Sequence, residues 1–244
     1  MIKGLDTLST LLALKVNGKG SCVACLEPAA SFGLCTGCHD ELPWNRWQCR
    51  QCRQCGLPLA FPDEGLSCGE CLQNPPPFSR VIVPWHYRFP VDRMIHRYKD
   101  SGQRAFAKPL LKGLERHLSE LLTQQPDQRP DLLVPTPMHP ARRRARGFNQ
   151  ASDIAEHLSR ALDLSWSACI STRTRQTRTQ RGLDRHARLN NLAGIFRIVK
   201  TPPPRVAIVD DVVTTGATVR LFTKALKQAG AQEVQVWALA RTPG

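Results

Sequence analysis

Residues 205–218 read Arg205-Val206-Ala207-Ile208-Val209-Asp210-Asp211-Val212-Val213-Thr214-Thr215-Gly216-Ala217-Thr218. The run 206–209 is short, rich in β-branched residues and bounded by Pro204 and Asp210, which predicts a buried parallel strand; a helical pattern follows over 217–230. Strand, tight turn and helix in that order point free backbone N–H groups at an anion. Gly216 permits positive φ and close approach of a ligand to the backbone. Thr214, Thr215 and Thr218 add hydroxyl donors at a helix mouth that carries roughly +0.5 charge. Asp210 and Asp211 would repel a phosphate, so they suit the vicinal hydroxyls of a ribose, with a magnesium ion beside them. No Gly-Lys-Ser/Thr follows the turn, which argues against a triphosphate-hydrolysing loop.

Nine of the ten cysteines fall between Cys22 and Cys71. Cys22-x-x-Cys25 with Cys35-x-x-Cys38 makes one four-thiolate set, and Cys52-x-x-Cys55 with Cys68-x-x-Cys71 makes a second. Each suits a closed tetrahedral zinc site, so two structural zinc ions in tandem ribbons are expected, with no open position for catalysis. Cys49 also pairs in register with Cys52 and stays open as a spare or substitute ligand. A disulfide framework would need an oxidising compartment. Residues 5–16 include Asp6 and precede no small-residue cleavage site, so the expectation is reduced, metal-bound thiols in the cytoplasm and no membrane insertion. Leu5, Leu8 and Leu12 read as an amphipathic helix packed on the ribbons, and Cys169 as a buried core residue.

A length of 244 residues with 41% hydrophobic content suits one or two domains. Asn74-Pro75-Pro76-Pro77-Phe78 is a stiff connector, which places a small double zinc-ribbon domain at 1–77 and an α/β domain at 78–244. Charge divides near the same point. Residues 1–80 hold seven basic and seven acidic side chains, so the whole formal excess of +14 falls in the second domain.

Within that domain, strands are expected over 81–87, 132–135, 195–199 and 234–240, and helices over 106–122 and from Ala151 to Leu162, the latter capped by Asn149 or Ser152. Arg97-Tyr98-Lys99-Asp100-Ser101-Gly102 reads as a turn. Together these elements predict an open, mainly parallel sheet. Arg142, Arg143, Arg144 and Arg146 form one basic cluster, and Arg173, Arg175, Arg178, Arg181, Arg185 and Arg188 another. The planar arginine fork matches pyrophosphate or a nucleic-acid backbone. Trp44, Trp47, Phe78, Trp85 and Tyr87 are either a base-stacking platform or core.

The segment 205–218 resembles the signature of type I phosphoribosyltransferases, which bind 5-phosphoribosyl 1-pyrophosphate (PRPP). The order of features along nearly the whole chain resembles the ComF family: the cysteine ribbons, Tyr98-Lys99, Val134-Pro135-Thr136-Pro137, Arg144-Ala145-Arg146-Gly147-Phe148-Asn149-Gln150, a loop with Arg175, Gln180 and Leu183, Arg188-Leu189-Asn190-Asn191, then the signature. Inside 171–188, Arg173-Thr174 and Arg178-Thr179 compete for the register.

The resemblance implies a type I phosphoribosyltransferase-like fold in which Asp210 and Asp211 are the catalytic pair that meets the ribose. Val212, Val213, Thr214, Thr215, Gly216, Ala217 and Thr218 would hold the 5′-phosphate, the loop with Thr136 would take the pyrophosphate, and Arg146, Asn149 and Gln150 would lie beside it. Residues 171–188 would form a mobile hood. Arg142, Arg143, Arg144, Arg173, Arg175, Arg178 and Arg181 are candidates for single-stranded DNA. The family is linked to natural competence and DNA utilisation, which implies PRPP with magnesium, single-stranded DNA and a competence helicase or DNA-processing protein as partners. Two readings follow: pentosyl transfer from PRPP, or a non-catalytic PRPP-sensing, DNA-binding or scaffolding module.

Overall fold

The computed structural model describes residues 20–28, 31–45, 51–59, 67–174 and 194–243. The expectations for Leu5, Leu8, Leu12, Trp47, Cys49 and Arg175 to Asn191 lie outside these residues.

Two short helices, α1 (Thr36–Asp40) and α2 (Gly69–Gln73), each begin next to a cysteine, Cys35 and Cys68. The sheet domain then follows in the order β1 (Val81–Ile82), β2 (Trp85–His86), α3 (Val91–Ser101), α4 (Arg104–Gln124), β3 (Leu132–Pro135), α5 (Pro140–Arg146), α6 (Gln150–Leu162), β4 (Ser171–Arg173), β5 (Phe196–Ile198), β6 (Arg205–Val213), α7 (Ala217–Gln228) and β7 (Glu233–Arg241). The main sheet runs β1-β7-β6-β3 with every pairing parallel, and β2 continues along β7 past the break at Pro84. β4 and β5 form a separate antiparallel pair. Mainly parallel strands with intervening helices are what the sequence predicted.

Strand alternation sends β6 and β7 into two cores. Ala207, Val209, Trp237 and Leu239 join Leu110 and Leu114 of α4 and Ile154 and Leu158 of α6 in one; Val206, Ile208, Val234 and Val236 join Val219, Phe222 and Leu226 of α7 in the other. The sheet is therefore buried on both sides, which explains the unbroken apolar run of 206–209. The first cysteine set shares the first core: Cys22, Val23, Ala24, Leu34, Cys38 and Leu42 pack with Ile82, Trp85 and Phe106. The second set forms a small cluster of its own with Leu57 and Leu59 beside it. Residues 43–45 close the β2 edge, with Asn45 N–H donating to Pro84 O and His86 N–H donating to Pro43 O. The buried Trp85 ring lies so near Gly113 of α4 that a Cβ there would come within 2.4 Å of it, so only glycine fits.

Three expectations change, and one open alternative is decided. β6 does not stop at Val209; its ladder to β7 continues through Asp210↔Ala238 to Val213↔Arg241, so both aspartates sit in a strand whose backbone is already paired. The 97–102 segment is the end of helix α3, not a turn. Val91, Met94, Ile95 and Tyr98 recur at helical spacing on its buried face, and Gly102 closes it in the left-handed region at φ 62°. Cys169 is exposed, because the apolar character around it is spent on Leu164 and Ile170 while the chain turns between them. Phe78 and Trp85 are core residues, and Trp44 and Tyr87 are half-buried, so the rings pack rather than form a stacking platform.

Candidate functional site: the cavity at the strand ends

A cavity of about 540 Å³ opens beyond the carboxyl ends of β3 and β6. Parallel α/β sheets place ligands at that end of their strands. Asp210, Asp211, Val212 and Thr218 come to it from the signature segment, Thr136 from the loop after β3, and Arg146, Asn149 and Gln150 from the α5–α6 junction. Arg142 and Arg173 also line it. Residues spread from Thr136 to Thr218 thus converge because β3 and β6 are neighbours in register, Val134 beside Ile208 and Pro135 beside Val209.

The two carboxylates are held differently. Asp210 accepts from the Thr136 hydroxyl at 3.1 Å and from the Asp211 N–H at 2.8 Å. Burial, then the charge of Asp211, pushes its carboxyl up to about 7. Asp211 accepts from the Val212 N–H at 2.7 Å and pairs with Lys99 Nζ at 2.7 Å. In the sequence Lys99 stands out only as part of the Tyr98-Lys99 element. Its role in the cavity depends on α3 being a helix that ends at the site, which a turn assignment conceals.

The α5–α6 junction is fixed by its own caps. Pro140 opens α5, Gly147 closes it at φ 87°, and Asn149 caps α6 by accepting from the Ala151 N–H at 3.2 Å. The Asn149 amide also donates to Thr136 O at 3.1 Å, which ties the junction to the β3 loop. Arg146 donates to Gln150 Oε1 at 3.1 Å and to Asp100 Oδ1 at 2.9 Å. The buried Gln150 Nε2 has no partner among the described residues, so a donor remains at the cavity wall. Arg143 and Arg144 are exposed on α5 and do not line the cavity, so the first arginine cluster is split between two surroundings.

Gly216 adopts φ 76° as the N-cap of α7 and supplies no side-chain cap, so the first amides of that helix other than that of Ala217 stay available to an anion. Space is not the reason for glycine there, since a Cβ would meet nothing within 4 Å; the left-handed φ is. Thr214 and Thr215 are exposed, Thr218 faces the cavity, and Val213 is buried in the second core. Ala217 N–H bonds to Thr215 Oγ1 at 3.4 Å.

The cysteines form two groups of four, Cys22, Cys25, Cys35 and Cys38, and Cys52, Cys55, Cys68 and Cys71, with all sulfurs of a group within 4.8 Å of one another. Sulfur separations of 3.6 Å for Cys25–Cys35 and for Cys55–Cys68 match the edge of a tetrahedron around zinc with bonds of about 2.3 Å. Backbone donors aim at the sulfurs, Cys38 N–H at Cys35 and Cys68 N–H at Cys52. At Cys22 burial raises the thiol, and backbone hydrogen bonds at Cys35, Cys25 and Ala24 outweigh it, leaving it below the usual thiol range. Each group can hold a metal ion.

No family model matches the chain. Among curated proteins, it is 38% identical over 226 residues to DNA utilization protein YhgH of Escherichia coli (strain K12), covering 91% of this chain and 97% of that protein. It is 33% identical over 216 residues to competence protein F of Haemophilus influenzae, covering 87% and 92%, and 30% identical over 147 residues to competence protein ComFC of Streptococcus pneumoniae, covering 59% and 60%. Among solved structures, purine phosphoribosyltransferase from Pyrococcus horikoshii Ot3 aligns with 55% of this chain and 83% of its own at 19% identity and a TM-score of 0.34. No described helix is long and apolar enough to cross a membrane. Identity above 30% over nine-tenths of the chain, with both cysteine groups and the strand-turn-helix signature in place, means that the chain belongs to the ComF family of competence and DNA utilization proteins.

Proposed function

We propose that the cavity binds PRPP with magnesium, and that the protein uses this site in the handling of DNA as it is taken up or utilised. One observation supports the reading: two carboxylates and Thr218 in the first turn of α7 reach the same cavity, which arginines also line. Asp210 and Asp211 would accept from the ribose hydroxyls, and the amides of 214–218 would take the 5′-phosphate. Thr136, Arg146, Asn149 and the unpartnered Gln150 Nε2 would face the pyrophosphate. The carboxylate and hydroxyl oxygens here are the hard ligands magnesium prefers, and the ion would supply charge neutralisation to the pyrophosphate. Lys99 meets Asp211 at 2.7 Å and balances that charge when no cation is bound. If turnover occurs, the C1–O bond breaks with its electron pair leaving on pyrophosphate, and a nitrogen nucleophile forms the new C1–N bond. The two cysteine groups would hold structural zinc.

Calorimetry with PRPP and magnesium is the test. The protein should bind PRPP, and Asp211→Asn should weaken binding by roughly tenfold or more, the scale of a lost charge-assisted hydrogen bond. Equal affinity of the two proteins would reject the sugar-reading role.

The exposed Arg143 and Arg144 favour a nucleic-acid surface beside the cavity. Affinity for a single-stranded oligonucleotide should then fall steeply with salt, and Arg143→Ala with Arg144→Ala together should flatten the log–log slope by roughly one unit or more. A salt-independent affinity would remove this reading.

A further inference from the structure

Arg241 ends β7 and is only 4% exposed, yet no carboxylate pairs with it among the described residues. Its guanidinium is committed to backbone carbonyls. Nε donates to Cys55 O at 3.0 Å, while Nη1 donates to Val213 O at 3.0 Å, to Thr242 O at 2.9 Å and to Thr214 O. Cys55 belongs to the second cysteine group, and Val213 and Thr214 lead into the signature turn. One planar fork therefore joins a metal-site loop to the loop that presents amides to phosphate.

A second arginine makes a parallel tie. Arg220, in the first turn of α7, donates to Asn74 O at 3.1 Å and reaches Glu70 at 3.9 Å, both at α2 of the same knuckle. Thr215 and Gly216 line the same narrow gap as Cys55, Leu57 and Cys71, so the back of the turn rests on the knuckle. A buried cation without a counter-charge is costly. Carbonyl oxygens offset that cost here, and because Cys55 is also one of the four clustered sulfurs, a metal ion held by the group fixes the loop that Arg241 grips. Arg241 is thus held most firmly against the 213–214 carbonyls when the knuckle is metal-loaded. Among the described residues the first cysteine group shows no such link and packs into the core with α4 and Trp85.

We propose that Arg241 is a positioning residue through which the second four-cysteine knuckle sets the shape of the 213–218 turn, so that the knuckle's metal content governs the turn's affinity for phosphate. This rests on the reading of that turn as the 5′-phosphate site. By linkage the coupling runs both ways, and bound PRPP retards metal loss from the knuckle.

Hydrogen exchange of the full-length, zinc-loaded protein tests the coupling without any ligand. In Arg241→Met, which keeps the length of the side chain and removes the fork, amides of 212–218 should exchange roughly tenfold faster or more, while those of α4 stay protected and two zinc ions remain bound. Arg241→Lys should resemble Met, because a single ammonium cannot span the four carbonyls. Should neither variant fold, Cys68→Ser, which empties the second knuckle only, should produce the same local acceleration. PRPP titrated into each protein should bind roughly tenfold more weakly wherever exchange has risen. Unchanged exchange over 212–218 in the folded variants overturns the coupling whatever PRPP does. Faster exchange there, with a wild type that does not bind PRPP, upholds the coupling and instead removes the reading of the turn.

Discussion

Asp210→Asn should make the protein more stable at pH 8 while abolishing PRPP binding. The Asp210 carboxyl is pushed from an ordinary value of 3.8 up to about 7, first by burial and then by the Asp211 charge. Between those values the folded chain holds a proton that the unfolded chain has lost, so stability falls as pH rises from 4 to 7 and stays low above. Asparagine removes that ionisation. At about 1.4 kcal/mol per pKa unit, the variant should gain a few kcal/mol over wild type at pH 8, with the gap closing toward pH 4. The Thr136 hydroxyl can turn to accept from the new amide, so the site need not collapse. Melting curves of both proteins at pH 4, 6 and 8 check the sign; a variant less stable than wild type at pH 8 would show that Asp210 is a structural acceptor rather than a carboxylate held charged for a ligand. Functional sites commonly carry such strain, and here the bound ribose or cation would relieve it.

The second large effect belongs to the first cysteine group. Cys22→Ser should lower zinc content from two ions to one and reduce the stability of the whole chain by on the order of 5 kcal/mol, because structural zinc contributes folding energy directly. The reason is placement. Cys22 and Cys38 share a core with Ile82, Trp85 and Leu110, so losing that knuckle uncovers the face of the sheet on which α4 packs. Cys52→Ser should lose one zinc as well but shift the melting temperature much less, since among the described residues its apolar cluster of Cys52, Cys55 and Cys71 with a few flanking residues lies apart from the two sheet cores. Zinc content and thermal unfolding of the two variants separate the cases, and equal shifts would contradict this division.

Much of this arrangement is written locally. The 206–209 run, Gly216 and the 217–230 pattern are close in sequence, and each follows from short-range rules of burial, positive φ and helix periodicity. Paired cysteines are similarly explicit, because tetrahedral ligation constrains their spacing. What escaped the sequence is set by pairing at a distance. The strand continues through Asp210 and Asp211 only because β7 lies alongside to Arg241. Lys99 reaches Asp211 because α3 packs with its end at the cavity, and its pattern of Val91, Met94, Ile95 and Tyr98 was hidden behind an apparent turn. Arg241 carries no motif at all. Its importance comes from burial against carbonyls 186 and 28 residues away in sequence, a relation that no window of neighbouring residues contains.

The central claim is that the cavity beyond β3 and β6 takes a phosphorylated, pyrophosphate-bearing pentose. A crystal grown with PRPP and magnesium tests it most directly. The expected density has the 5′-phosphate on the amides of 214–218, ribose hydroxyls on Asp210 and Asp211, and the pyrophosphate toward Thr136 and Arg146. An empty cavity at saturating PRPP, or the compound bound elsewhere with the Lys99–Asp211 pair undisturbed, would contradict it.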